Sequence, residues 1–288
     1  VHHLLEDVAR GLPFTSSAAL DLADELHAAT LATVRARFGA KAAPARNEYR
    51  GWGRHAGPSG AVVHVPALAG RSALDGVDLC RRFLRRDGSS STHLVVDWPS
   101  GDLLVCVTPR NRAWHAGKAW NHTHMGIDVV SPGPLRRAAA GGWTVPHGKK
   151  PRVLLPDGAQ LPDADVISFP GSRRRDRPWG LEFWHLITQD QIRGLALGLR
   201  LLRLCHPETL DPAAVVRHAD VAPGRRADPG PCVPLEQVRD WAWSSLDLDA
   251  LVRVAPEDWP AWLAEQWASP TGLITAMDRT APGRPPFA

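Results

Sequence analysis

The chain has 288 residues, of which 44% are hydrophobic and 22% charged, with a formal net charge of +4. This length and apolar content support one large domain with a real core and exclude a disordered chain, and with no run of about 18 apolar residues a membrane-spanning helix is excluded as well. The basic balance agrees with an anionic partner, nucleic acid or cell wall, without choosing between them.

Residues 16–38 carry apolar side chains at three- and four-residue steps and end at Gly39, which predicts a helix. With the residues around it, this helix makes up an N-terminal helical extension, 1–45. The opening VHHLLEDVARGLPF lacks the basic-then-apolar order of a signal peptide. Residues 40–60 are rich in Gly, Pro, Ala and Arg and read as a loop or linker. GAVVHVPAL (60–68) is a short β-branched run, hence a strand. HLVVDWPSGDLLVCV (93–107) reads as strand, Pro-Ser-Gly turn and strand, a hairpin. MGIDVVS (125–131) is a further buried strand. Residues 132–180 read as an irregular surface insertion, with a small hairpin near PRVLLPDGAQL.

TQDQ at Thr188 supplies an N-cap and a glutamine three residues on, opening a helix that runs to about His206 before Pro207 stops it. AAVVR (213–217) is a strand or the approach to a loop. The tail carries Trp241, Trp243, Trp259, Trp262 and Trp267 on short amphipathic helices. At helical spacing these are read as core ahead of sugar platforms. Short strands mixed with helices give an α/β (α+β) domain: a central mixed β-sheet flanked by helices, over 46–240, with a Trp-rich C-terminal extension over 241–288.

Four cysteines at 80, 106, 205 and 232 form no C-x-x-C pair, so no zinc-ribbon pattern is present; Cys106 and Cys205 lie in apolar runs and read as buried thiols. The arginine-rich spans 81–86 and 173–177 read as solvated loops and helix faces. No nucleic-acid-binding module accompanies them, so nucleic acid is not expected as a partner.

Histidine carries more information. His64 lies mid-strand, either a satisfied core residue or a ligand presented from a rigid sheet. His218 follows an apolar run, and Asp228 comes ten residues later, before Pro229-Gly230-Pro231. A chain that loops out and returns brings His218 and Asp228 together. Two imidazoles and a carboxylate make a zinc set with a fourth position open to water. The plainer alternative for APGRRADPGP is a rigid turn with a surface aspartate.

VVRHADVAPGRRADPGP (215–231) closely resembles the GHxDIAPGRKxDPGP segment of zinc-dependent N-acetylmuramoyl-L-alanine amidases, the type 2 amidase and peptidoglycan recognition protein family. AVVHVPAL (61–68) resembles the strand bearing that family's first zinc histidine. THLVVDWPSGDLLVCVTPRNRAWHAGKAWN (92–121) and HMGIDVVSPGPL (124–135) resemble two further motifs, in the family's order, so the resemblance covers roughly 58–235. It implies one zinc per chain in a surface cleft, held by His64, His218 and Asp228. It also implies hydrolysis of the amide between N-acetylmuramic acid and L-alanine in peptidoglycan or muropeptides. Such a substrate favours the cell envelope or a secreted location, while the sequence itself leaves the compartment, the cytoplasm included, open.

Two departures stand out. The family's catalytic glutamate is here Asp128, about 1.3–1.5 Å shorter. Its oxyanion-stabilising lysine is here Arg226, a donor of different reach. They keep charge and imply a tuned or slower enzyme; the alternative is a weak or inactive peptidoglycan-binding module of the same fold. Thr92 stands by the place where some phage members carry a catalytic tyrosine, so that subtype's mechanism is not expected. His93, Trp114, His115 and Asn121 are assigned to substrate binding. Each also has a structural reading: a packed strand residue for His93, a locked loop for Trp114 and His115, and a turn cap for Asn121.

Overall fold

The computed structural model describes residues 2–39, 50–53, 56–66, 74–84, 90–139, 141–145, 153–155, 157–169, 183–223, 225–251 and 254–268. The arginine cluster 173–177, residues 40–49 of the 40–60 linker, the Pro-rich end and the Trp267 side chain lie outside them.

Two helices open the chain, α1 (His2–Ala9) and α2 (Ser16–Phe38). The Thr15 hydroxyl accepts from the Ala18 N–H to start α2, and Gly39 at φ 86° ends it, where the sequence places the stop. Strand β1 (Gly60–His64), helix α3 (Gly76–Phe83) and strands β2 (Leu94–Val96) and β3 (Leu103–Val105) follow. Then come α4 (Lys118–Asn121), β4 (His124–Val129), β5 (Pro134–Arg137), β6 (Trp143–Thr144), β7 (Val166–Ser168) and β8 (Phe183–His185). The chain continues through α5 (Gln189–Cys205), β9 (Val215–Arg217), α6 (His218–Val221), α7 (Leu235–Trp243), α8 (Leu248–Leu251) and α9 (Trp259–Ala268).

The central sheet is mixed, in the order β3-β2-β4-β1-β9. β2, β4, β1 and β9 run parallel, and β3 closes antiparallel on β2 as the hairpin the sequence predicts. Every residue of β1 and β4 is buried, as expected for parallel strands covered on both faces. On one face α5 packs beside α2 and α7. Its start carries the full capping box, with Gln191 N–H donating to the Thr188 hydroxyl and Thr188 N–H to Gln191 Oε1.

The terminal helices share this core. Ala19, Leu22, Ala23 and Leu26 of α2, and Val238, Trp259 and Leu263 near the other end, belong to one buried cluster with the sheet. Buried Arg200 ties the ends together: it donates to the carbonyls of Val8, Ala9, Trp241 and Leu246 and to the Ser244 hydroxyl. Of the tail tryptophans, Trp259 is buried, donates to the Ile187 carbonyl at 2.7 Å and stacks on Trp262, as core residues do. All four cysteines are buried and free. Among the described residues no helix is long and apolar enough to cross a membrane.

The described part of 132–180 holds more regular structure than expected. β5, β6 and β7 lie there and join β8 in a second sheet, order β6-β5-β8-β7, antiparallel throughout. The strands have two to four residues each, too few for an alternating pattern to show among the Gly and Pro residues. The hairpin expected nearby exists as an antiparallel bridge between Leu154 and Gln160.

Candidate active site

The site begins with strand register. On β1 and β4, His64 pairs with Asp128; on β1 and β9, Val63 pairs with Arg217, so His218 follows at the next position. Three adjacent parallel strands therefore end within a residue of one another, with His64, Asp128 and His218 at the carboxyl end of the sheet. His218 opens α6, and the loop beyond returns so that the Ala219 N–H donates to the Asp228 carbonyl at 2.8 Å. Gly230, at φ +71°, lets that loop press against Trp184 of β8.

Three ligand atoms converge. His64 Nδ1 lies 2.9 Å from His218 Nδ1, His218 Nδ1 3.0 Å from Asp228 Oδ2, and His64 Nδ1 3.7 Å from the same oxygen. The Val65 N–H also donates to Asp228 Oδ2, at 3.3 Å. A tetrahedral ion about 2.0–2.1 Å from each ligand needs ligand atoms about 3.3 Å apart. The observed spacings bracket that value. Among the described residues, His64, His218 and Asp228 form the group suited to a metal ion.

Electrostatics agree with the geometry. Burial alone raises the Asp228 carboxyl, but hydrogen bonding and charge from His218 and His64 outweigh it and hold the group well below the usual carboxylate range. Burial, helped by His64, lowers His218. An ionised carboxylate beside an imidazole kept neutral is the protonation state a divalent cation requires.

Asp128 is buried beside His64, and burial raises its carboxyl while His64 and the Thr92 hydroxyl pull it the other way. It is not part of the convergent ligand group. Arg226 is exposed, and its charge helps lower His218.

The residues assigned to substrate divide differently. His93 is fully buried: Gly126 N–H donates to its Nδ1 and its Nε2 donates to the Asn111 carbonyl, both at 3.0 Å, while Trp52 stacks on its ring. Both nitrogens are occupied, so this histidine staples strand to loop and offers a ligand no atom. Asn121 is also buried, its Oδ1 accepting from the N–H groups of His115 and Ala116 at 2.9 and 2.8 Å; it is a loop cap. Trp114 is half-buried, its backbone N–H on the Ser91 hydroxyl.

His115 touches the site itself. Its Nδ1 lies 3.0 Å from His64 Nε2, and its Nε2 lies 2.9 Å from the His124 carbonyl. Burial, followed by the neighbouring His64 and His93, pushes its imidazole far down. Sequence reasoning gave no role to His124 or Trp184. A backbone carbonyl and a distant ring leave no local signal.

A family model described as N-acetylmuramoyl-L-alanine amidase matches residues 52–231. The chain belongs to this amidase family. The match spans β1 to the Asp228 loop and contains His64, Asp128, His218, Arg226 and Asp228, while α1, α2 and α7 to α9 lie outside it. No curated protein sequence matches significantly. Among solved structures the amidase chain is similar to a selenomethionine AmpD derivative, at 19% identity and TM-score 0.40, covering 74% of this chain and 96% of that one. It is also similar to AmpDh3 from Pseudomonas aeruginosa in complex with anhydromuramic pentapeptide, at 22% identity and TM-score 0.38, covering 67% and 63%. A mutant endolysin from Bacillus subtilis follows at 16% identity and TM-score 0.37, covering 74% and 94%.

Proposed function

We propose that this chain hydrolyses the amide joining the lactyl group of N-acetylmuramic acid to L-alanine, in peptidoglycan or muropeptides, with one zinc ion held by His64, His218 and Asp228. The observation that carries the proposal is the convergence of His64 Nδ1, His218 Nδ1 and Asp228 Oδ2 at spacings near those of a tetrahedral site, in a chain of the amidase family. Bound there, zinc supplies Lewis acidity toward the scissile carbonyl and lowers the pKa of water toward ~7.

The chain's own groups do the rest. Asp128, level with His64 on the neighbouring strand, receives the proton of the attacking water; its burial raises its proton affinity and makes it the better base. Arg226, exposed on the loop before Asp228, donates to the oxyanion as the tetrahedral centre forms. The leaving group is the α-amine of L-alanine, which takes up the proton held by Asp128.

The test is release of free L-alanine amino termini from purified peptidoglycan and from soluble muropeptide, with zinc-loaded protein beside a His218→Ala variant. Release that disappears in the variant is the expected result. No release from either substrate by protein carrying one zinc per chain overturns hydrolysis and leaves a muropeptide-holding module.

A further inference from the structure

Metal-ligating histidines donate their second ring N–H to a partner that fixes tautomer and ring orientation. For His64 that partner is another imidazole. The His124 carbonyl can only accept, so the His115 nitrogen facing it at 2.9 Å, Nε2, carries a hydrogen. The other nitrogen of His115, Nδ1, then has a lone pair and faces His64 Nε2 at 3.0 Å. His64 donates across that contact, which leaves Nδ1 of His64 bare and directed at His218 and Asp228.

We propose that His115 is a positioning residue for the metal centre: it accepts the Nε2 proton of His64 and so locks His64 in the tautomer whose Nδ1 lone pair faces the ligand group. This rests on the metal site proposed above. The seat of the His115 ring is built for the purpose. Asn121 Oδ1 holds the backbone N–H groups of His115 and Ala116. Gly126 leaves the space the ring fills, since a Cβ at that position would lie 2.6 Å from His115 Cγ. The cap fixes the His115 backbone, and Gly126 gives its ring room to lie against β4 beside His64. The chain His64, His115, His124 carbonyl plays the part that a carboxylate or a carbonyl usually plays alone.

The experiment joins imidazole long-range proton–nitrogen correlation spectra of the full chain with zinc titration against a competing chelator. In metal-free wild type, His64 is expected to carry its hydrogen on Nε2. His115→Ala is expected to lose that single-tautomer signature and to weaken zinc binding about 10–100-fold. His115→Asn keeps an oxygen acceptor near the place of Nδ1 and is expected to recover most of the affinity and the tautomer. A merely structural loop residue gives no such rescue. If His115→Ala fails to fold, the wild-type spectrum and the His115→Asn variant decide. Wild-type His64 protonated on Nδ1 overturns the proposal, as does a His115→Ala variant with unchanged tautomer and zinc affinity while wild type binds zinc. A wild type that binds no zinc overturns the metal reading and takes this inference with it.

Discussion

Gly230→Ala probes how the second sheet supports the candidate metal centre. Gly230 sits two residues past Asp228 at φ +71°, and a Cβ there would lie 2.2 Å from Trp184 Cζ3 and 2.3 Å from Cη2. Trp184 is only 4% exposed and its strand is paired on both sides, so the ring has little room to yield. The left-handed backbone costs an L-residue about 1–2 kcal/mol, and forcing extra volume into a packed site about 1–3 kcal/mol more. Together they amount to about 2–5 kcal/mol, a large share of the roughly 5–15 kcal/mol that holds a protein folded.

Urea unfolding of chelator-treated protein measures that loss, and zinc titration of the folded variant shows whether the loop gives way locally and carries Asp228 out of place. Trimming the ring in a Gly230→Ala/Trp184→Leu double variant is expected to return the steric part, as a coupling of about 1–3 kcal/mol, while the backbone part stays. A Gly230→Ala variant within about 0.5 kcal/mol of wild type and with unchanged zinc affinity refutes the claim that this contact sets the Asp228 loop.

Arg226→Ala is expected to lower kcat about 10²–10³-fold with zinc affinity unchanged, because Arg226 is exposed and outside the ligand group; parallel kinetics and zinc titration check it. Asp128→Asn is expected to remove turnover while the protein still binds zinc, read by the same pair of measurements. Burial lowers His93 from 6.5 to about 4 and His185 to about 3, so both stay neutral when folded and take up protons more readily when unfolded. Stability is therefore expected to be level above about pH 6.5 and to fall as pH drops from there toward about 4, by at most about 1.4 kcal/mol per unit for each histidine; urea titrations with no loss between about pH 7 and 4.5 would contradict this. Arg200→Met strips its hydrogen bonds from the carbonyls of Val8, Ala9, Trp241 and Leu246, and is expected to cost about 3 kcal/mol or more. Amide hydrogen exchange should then quicken in α1 and around residues 241–246.

The elements legible in the sequence are those whose cause is local. The α2 stop at Gly39, the capping box at Thr188 and the hairpin around Pro99 depend on neighbours a few residues away, and each lies where the sequence places it. The grouping of His64, His218 and Asp228 was legible through the resemblance of the motif around the loop, since the residues alone also allow a rigid turn with a surface aspartate; the structure brings the three together. What the loop joins was not legible. The near-level ending of β4, β1 and β9, which sets Asp128 beside His64, is a matter of register between strands far apart in sequence. The burial of His93, the ring contact of His115 with His64 and the backing of Gly230 by Trp184 arise the same way. An imidazole reads the same in sequence whether it faces a cleft, a carbonyl or a second imidazole. Residue type and local pattern determined which groups are available for chemistry; only the packing of distant strands decided which of them meet and which nitrogen each one presents.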